Sequence, residues 1–129
     1  MARDFKRTDR IGEQMQKELA QILQREIKDP RLGMMTINAV RVSKDLSYAD
    51  MYFTVLSLDP ALEEETRANA LHALDQARGF LRSELSHRIQ LRVMPQLRFH
   101  YDTVMDKAIK LDGLIREARA RDHAADDLE

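Results

Sequence analysis

The apolar residues of this chain change period at Pro30, and that change constrains the fold more than any other feature of the sequence. Upstream, Ile11, Met15, Leu19, Ile22, Leu23 and Ile27 recur every three or four residues, forming one stripe of an amphipathic helix. Thr8 or Asp9 can cap its start. Asp29-Pro30 stops it, because the residue before a proline is pushed out of helical geometry. This predicts a helix over about 9–28 and a turn at Pro30-Arg31-Leu32-Gly33. Downstream the period falls to two. Met35, Ile37 and Ala39 lie on one phase and Val40 and Val42 on the other, which predicts a strand with a bulge at Ala39-Val40. After the polar link Lys44-Asp45-Leu46-Ser47, the residues Ala49, Met51, Phe53 and Val55 alternate with Asp50, Tyr52 and Thr54. Two alternating runs across a short link predict a hairpin with one covered face and one wet face.

Asp59-Pro60 offers an N-cap followed by proline at the first helical position, and Glu63-Glu64-Glu65 falls where the helix dipole favours acid. The second helical pattern takes Leu71, Leu74 and Ala77 as its stripe and resumes after Gly79 with Phe80, Leu81, Leu85 and Ile89. Glycine disfavours a continuous helix by about 1 kcal/mol relative to alanine, so two helices are expected, meeting at a kink at Ala77-Arg78-Gly79. Beyond Pro95, Leu97, Phe99 and Tyr101 alternate with Gln96, Arg98 and His100 as a third strand. Asp102 can cap a last helix carrying Val104, Ala108, Leu111, Ile115 and Ala118, and residues 122–129 form an acidic tail. The order helix, strand, strand, helix, helix, strand, helix is that of an α+β domain with helices over one face of a three-stranded sheet. Residues 1–121 are read as one domain.

Enzymatic chemistry finds little to work with. The chain has no cysteine, hence no disulfide, thiolate metal site or cysteine nucleophile, and this suits a reduced, cytoplasmic setting. No run of about 18 apolar residues occurs, so no membrane span is expected. Gly12, Gly33, Gly79 and Gly113 are isolated, which excludes a phosphate-cradling loop. His72, His87, His100 and His123 fall on different predicted elements without ligand spacing and read as solvated side chains. No catalytic residue, metal or cofactor is expected.

Charge is more informative than its sum of −1. Segments 59–65 and 122–129 each carry −4, so the other 114 residues hold +7. Such a basic body suits a polyanion. Between 78 and 98, Arg78, Arg82, Arg88, Arg92 and Arg98 stand against Glu84 alone. Arg78 and Arg82 at i, i+4 share a helical face and repel mildly unless an anion approaches, and guanidinium forks suit phosphate. The competing reading is a solvated face in which Asp75 eases Arg78 and Glu84 pairs with Arg88. Phe53, Phe80, Phe99 and Tyr101 are assigned to the core, leaving Phe5, Tyr48 and Tyr52, too few for a base-stacking platform. The seven methionines read as core filler.

Several segments in order then resemble the ribosome-binding factor A family. They are Arg25-Glu26-Ile27-Lys28-Asp29-Pro30-Arg31-Leu32-Gly33, Val42-Ser43-Lys44-Asp45-Leu46-Ser47-Tyr48-Ala49, and Ala77-Arg78-Gly79-Phe80-Leu81-Arg82-Ser83-Glu84-Leu85 running on to Pro95-Gln96-Leu97-Arg98-Phe99. The resemblance covers about residues 5–115. It implies a type II KH-like domain with a mixed sheet, in which an Ala-x-Gly kink (Ala77, Gly79) replaces the usual Gly-x-x-Gly loop. It also implies a non-enzymatic, monomeric bacterial factor that binds the free small ribosomal subunit late in assembly, near the 5′-terminal helix of its RNA, and supports cold adaptation. The expected partners are that subunit and its rRNA, with assembly GTPases as further candidates. Lys28, Arg31, Lys44, Arg78, Arg82, Arg88 and Arg92 are the expected RNA-binding residues. The alternatives are a DNA binder reading with the helix after the kink, and a protein–protein adaptor recruiting through the acidic segments.

Overall fold

The computed structural model describes residues 7–32 and 34–127, with side-chain environments as far as Asp122; Phe5, Gly33, Leu128 and Glu129 lie outside it. Helix α1 spans Arg7–Arg25, and Ile11, Met15, Leu19, Ile22 and Leu23 of its stripe are buried. The helix ends sooner than expected from Pro30 alone: Glu26 and Ile27 still donate to the Ile22 carbonyl, and a short 3-10 turn, Pro30–Leu32, follows. Asp29 organises that turn by accepting from the Arg31 backbone N–H at 2.9 Å.

Strands β1 (Met35–Val42) and β2 (Tyr48–Val55) form the expected antiparallel hairpin. The bulge falls one residue earlier than its predicted place. Ile37 pairs with Phe53 and Ala39 with Tyr52, leaving Asn38 as the extra residue. Its side-chain amide donates to Asp102 at 3.2 Å, which gives the bulged residue a polar partner of its own. As a result Ile37 and Val40 both point into the core, while Ala39 shares the outer face with Tyr52.

Helix α2 (Glu63–Arg88) and strand β3 (Gln96–Tyr101) complete the crossover, and β3 pairs parallel to β2, so the sheet runs β1-β2-β3. Asp59 caps a 3-10 turn, Pro60–Leu62, ahead of α2. The expected division of α2 into two helices is not found. The helix is continuous through Ala77-Arg78-Gly79; among the described residues no glycine has positive φ, and a Cβ on Gly79 would meet no atom within 4 Å. The reason lies in the stripe. Ala70, Ala73, Leu74, Leu81 and Leu85 are buried and Ala77 is half-buried, a helical period that passes Gly79 without interruption. Phe80, assigned to the core from its sequence context, is instead 44% exposed.

Helices α1 and α2 cover one face of the sheet. Between them and the strands lie Met15, Leu19, Ile22, Met51, Phe53, Leu74, Leu81, Leu85 and Leu97, all essentially inaccessible. Helix α1 approaches β1 closely at Gly12, where an added Cβ would stand 2.5 Å from the Val40 carbonyl oxygen. Helix α3 (Thr103–Asp127) is capped by Asp102, which accepts from the Met105 N–H at 3.0 Å, and it stays helical into the acidic segment expected as a tail. It buries little: Val104, Ile109, Leu111 and Leu114 are all exposed.

Candidate nucleic-acid interface

The end of α1, the 3-10 turn and the middle of α2 enclose an open groove lined by Glu26, Ile27, Lys28, Asp29, Ala77 and Phe80. Local chemistry holds its walls. Arg31 forks onto Asp29 with contacts of 3.0 and 2.7 Å, then reaches across to the Gln76 side-chain oxygen at 3.0 Å, tying the turn to α2. These bonds hold the Asp29 carboxyl below its ordinary pKa and raise that of Arg31. Ala77 gives α2 a low profile there, and Phe80 supplies an apolar lip. On the other side of the same chain segment, a concavity of about 590 Å³ opens between α1 and β1, walled by Ala20, Leu23, Ile27, Met35 and Ile37. Lys28 borders both depressions, is exposed, and has no ion-pair partner among the described residues.

The other expected cations divide. Arg88 is enclosed by three carboxylates, Glu18 at 3.2 Å, Glu26 at 3.4 Å and Glu84 at 3.8 Å, so it clamps α2 to α1. Arg82 donates to the carbonyls of Met94 (2.7 Å) and Pro95 (3.3 Å), fastening the loop before β3. Both are bonded within the chain itself. Arg78 bonds Asp75 at 2.6 Å and lies 5.3 Å from the centre of the Phe99 ring, turned toward β3. The Arg78/Arg82 repulsion is thereby relieved without an anion, as the solvated-face reading anticipates. Lys44 and Arg92 are exposed and have no ion-pair partner among the described residues. Lys44 sits on the hairpin turn; Arg92 lines a concavity with Arg7 and the turn residues Asp45, Leu46 and Ser47. The seven residues therefore do not converge on one patch. Lys28 borders the groove with Ala77, Arg31 ties its Asp29 wall to α2, and Lys44 and Arg92 belong to the hairpin side.

Sequence reasoning missed Ile27 and Phe80 as groove walls, since both carry the spacing of core residues. Among the described residues no group of three His, Cys, Asp or Glu side chains could hold a metal ion, and no helix is long and apolar enough to cross a membrane.

Three helices and a three-stranded mixed sheet, with helices over one face, define an α+β domain of the type II KH-like class. Residues 7–115 match the family model for ribosome-binding factor A. Ribosome-binding factor A of Hahella chejuensis is 59% identical over 128 residues, covering 98% of this chain and 95% of that one. The crystal structure of ribosome-binding factor A from Thermus thermophilus superposes with a TM-score of 0.63 at 30% identity, covering 74% of this chain and 94% of that one. A Thermus thermophilus homology model of the same factor, fitted into a cryo-electron-microscopy map of a complex with the 30S subunit, gives a TM-score of 0.55 at 32% identity, covering 69% and 88%. The chain belongs to the ribosome-binding factor A family.

Proposed function

We propose that this chain is a non-enzymatic, cytoplasmic assembly factor that binds the free small ribosomal subunit and assists late maturation of its rRNA near the 5′-terminal helix, with a role in cold adaptation. The observation that carries this reading is the family match over residues 7–115, joined to a structural neighbour placed on a 30S subunit. The mechanism is recognition without bond making. Lys28, which has no carboxylate partner among the described residues and stands between two concavities, offers an ammonium to a phosphate, and the Ile27–Ala77–Phe80 walls offer apolar surface beside it. Lys44 and Arg92 provide separate cations for the phosphate backbone. Such binding favours one conformer of an assembling subunit only by the difference in its affinity for the two states.

The DNA-binding alternative depended on a separate recognition helix after a kink, and α2 provides no such element. Sedimentation of the tagged chain through a gradient tests the proposal. It is expected with free small subunits; equal occupancy of large subunits or polysomes would refute it. Removal of the gene is expected to leave immature 5′ ends on small-subunit rRNA and to slow growth most in the cold.

A further inference from the structure

The face of the sheet turned away from α1 and α2 carries an ordered arrangement of rings and guanidinium that the groove does not use. Alternation puts Tyr48, Asp50 and Tyr52 of β2 on this face, and the parallel register sets Arg98 beside Asp50 and His100 beside Tyr52. Arg98 forks onto Asp50 with contacts of 2.7 and 3.0 Å, and its guanidinium carbon lies 4.0 Å from the centre of the Tyr48 ring. His100 Nε2 lies 2.7 Å from the same Asp50 carboxylate, and its ring stacks on Tyr52 with centroids 5.1 Å apart and planes 25° from parallel. One carboxylate therefore fixes both a guanidinium plane and an imidazole.

We propose that this outer face, where Arg98 and His100 add planes to two tyrosines that are too few for a stacking platform by themselves, is a second nucleic-acid site that stacks an unpaired base of single-stranded RNA on the Tyr48–Arg98 pair and against the Tyr52–His100 pair. A guanidinium clamped at its edge by Asp50 and backed by Tyr48 keeps its other plane outward, and arginine planes and aromatic rings are what unpaired bases stack on. About half of the Arg98 side chain is exposed. On the β1 side Tyr52 has Ala39 as its neighbour, whose methyl group is too small to cover a ring. Charge suits the same occupant. Arg41, opposite Asp50 on β1, is exposed and has no ion-pair partner among the described residues, while Asp50 is already paired with Arg98. The carboxylate stays ionised, held below its usual range first by the Arg98 hydrogen bonds and then, against the opposing effect of burial, by His100. Asp45, the nearest acid on the hairpin turn, is turned back onto Ser43 and the Ser47 N–H. Pre-set planes reduce the ordering that binding would otherwise require.

The site is tested with the full chain and a fluorescent, unstructured oligoadenylate, independently of any ribosomal subunit. Tyr48→Leu is expected to weaken binding roughly 5- to 150-fold, the range for loss of one base–aromatic stack. Arg98→Lys, which keeps the charge but removes the plane, is expected to weaken it severalfold while leaving the salt dependence unchanged. Photocrosslinking of a 4-thiouridine oligomer to the unmodified chain is expected to label peptides containing Tyr48, Tyr52 or His100, a readout that no substitution can perturb through folding. Affinities within twofold of the parent for both variants, or crosslinks confined to peptides of the α1–α2 groove, would overturn the proposal.

Discussion

Gly12 and Gly79 are the same residue type in two helices, and the structure assigns them opposite consequences. Gly12 lies where α1 crosses β1; a methyl group there meets a backbone carbonyl at 2.5 Å, which cannot move as a side-chain tip can. Gly12→Ala is therefore expected to destabilise by about 1–3 kcal/mol, as overpacking does, measured as a lower denaturant midpoint. Gly79 has an ordinary helical setting and open space around its Cβ position. Gly79→Ala is expected to stabilise by up to about 1 kcal/mol, the helix-propensity difference, with subunit binding retained; a destabilised variant would restore the case for a kink. Arginines separate in the same way. Arg88→Ala leaves Glu18, Glu26 and Glu84 facing one another without a counter-charge, so a loss of about 1–2 kcal/mol is expected in a melt. Lys28→Ala is expected to leave the melt unchanged and to lower the salt slope of RNA binding by about 0.7.

Elements were legible in sequence where their period was clean. The α1 stripe, the hairpin and β3 follow from spacing alone, because deviation would have moved whole apolar faces into water. Helix α2 departs from its sequence pattern for a specific reason. Its buried stripe includes Ala70 and Ala73, small residues that a scan for bulky apolar groups passes over in favour of Leu71 and Phe80. The bulge is displaced by one residue because the partner that fixes Asn38, Asp102, is 64 residues away. The attachment of α3 was likewise invisible. Arg67 of α2 bonds Glu63 at 3.0 Å and Asp106 at 2.8 Å while lying 4.2 Å from the Tyr101 ring centre, and the Tyr101 hydroxyl donates to Asp106 at 2.9 Å. Lys110 reaches Asp106 at 3.2 Å and also bonds Glu63. Burial opposes the Asp106 charge, but Tyr101, Lys110 and Arg67 outweigh it, and Lys110 and Arg67 do the same for Glu63; both carboxyls stay below their ordinary values. A depressed folded-state pKa gives stability that is present at neutral pH and lost as pH falls through it. The α3 anchor is therefore expected to loosen below about pH 4. Faster amide exchange in the first turns of α3, ahead of the sheet, would register this; uniform exchange across the chain would argue against the anchor.

At the scale of the whole molecule, the candidate site was only partly readable. Composition located a surplus of arginine but could not say which guanidinium groups face outward, since Arg82 finds backbone carbonyls and Arg88 finds Glu18 of α1 only once the helices cross. The segments around Lys28 and Ala77 are about fifty residues apart in the chain, yet the fold brings them to opposite walls of one groove. Family membership was more accessible, because it depends on the order of several local segments.

The parallel pairing of β2 with β3 bears on how the molecule forms during synthesis. Tyr48 pairs with Gln96, so this contact spans nearly fifty residues, all of α2 included, whereas the β1–β2 hairpin closes across a short turn. Contacts of long sequence separation form slowly, because chain entropy is lost before any pairing is gained. Helix α1 and the hairpin can thus assemble as soon as they leave the ribosome. Leu97 and Phe99, which lie beside Ala49 and Met51 on the third strand, arrive last, and until they do the chain emerges with the floor of its core open to chaperones and to its own neighbours on the polysome.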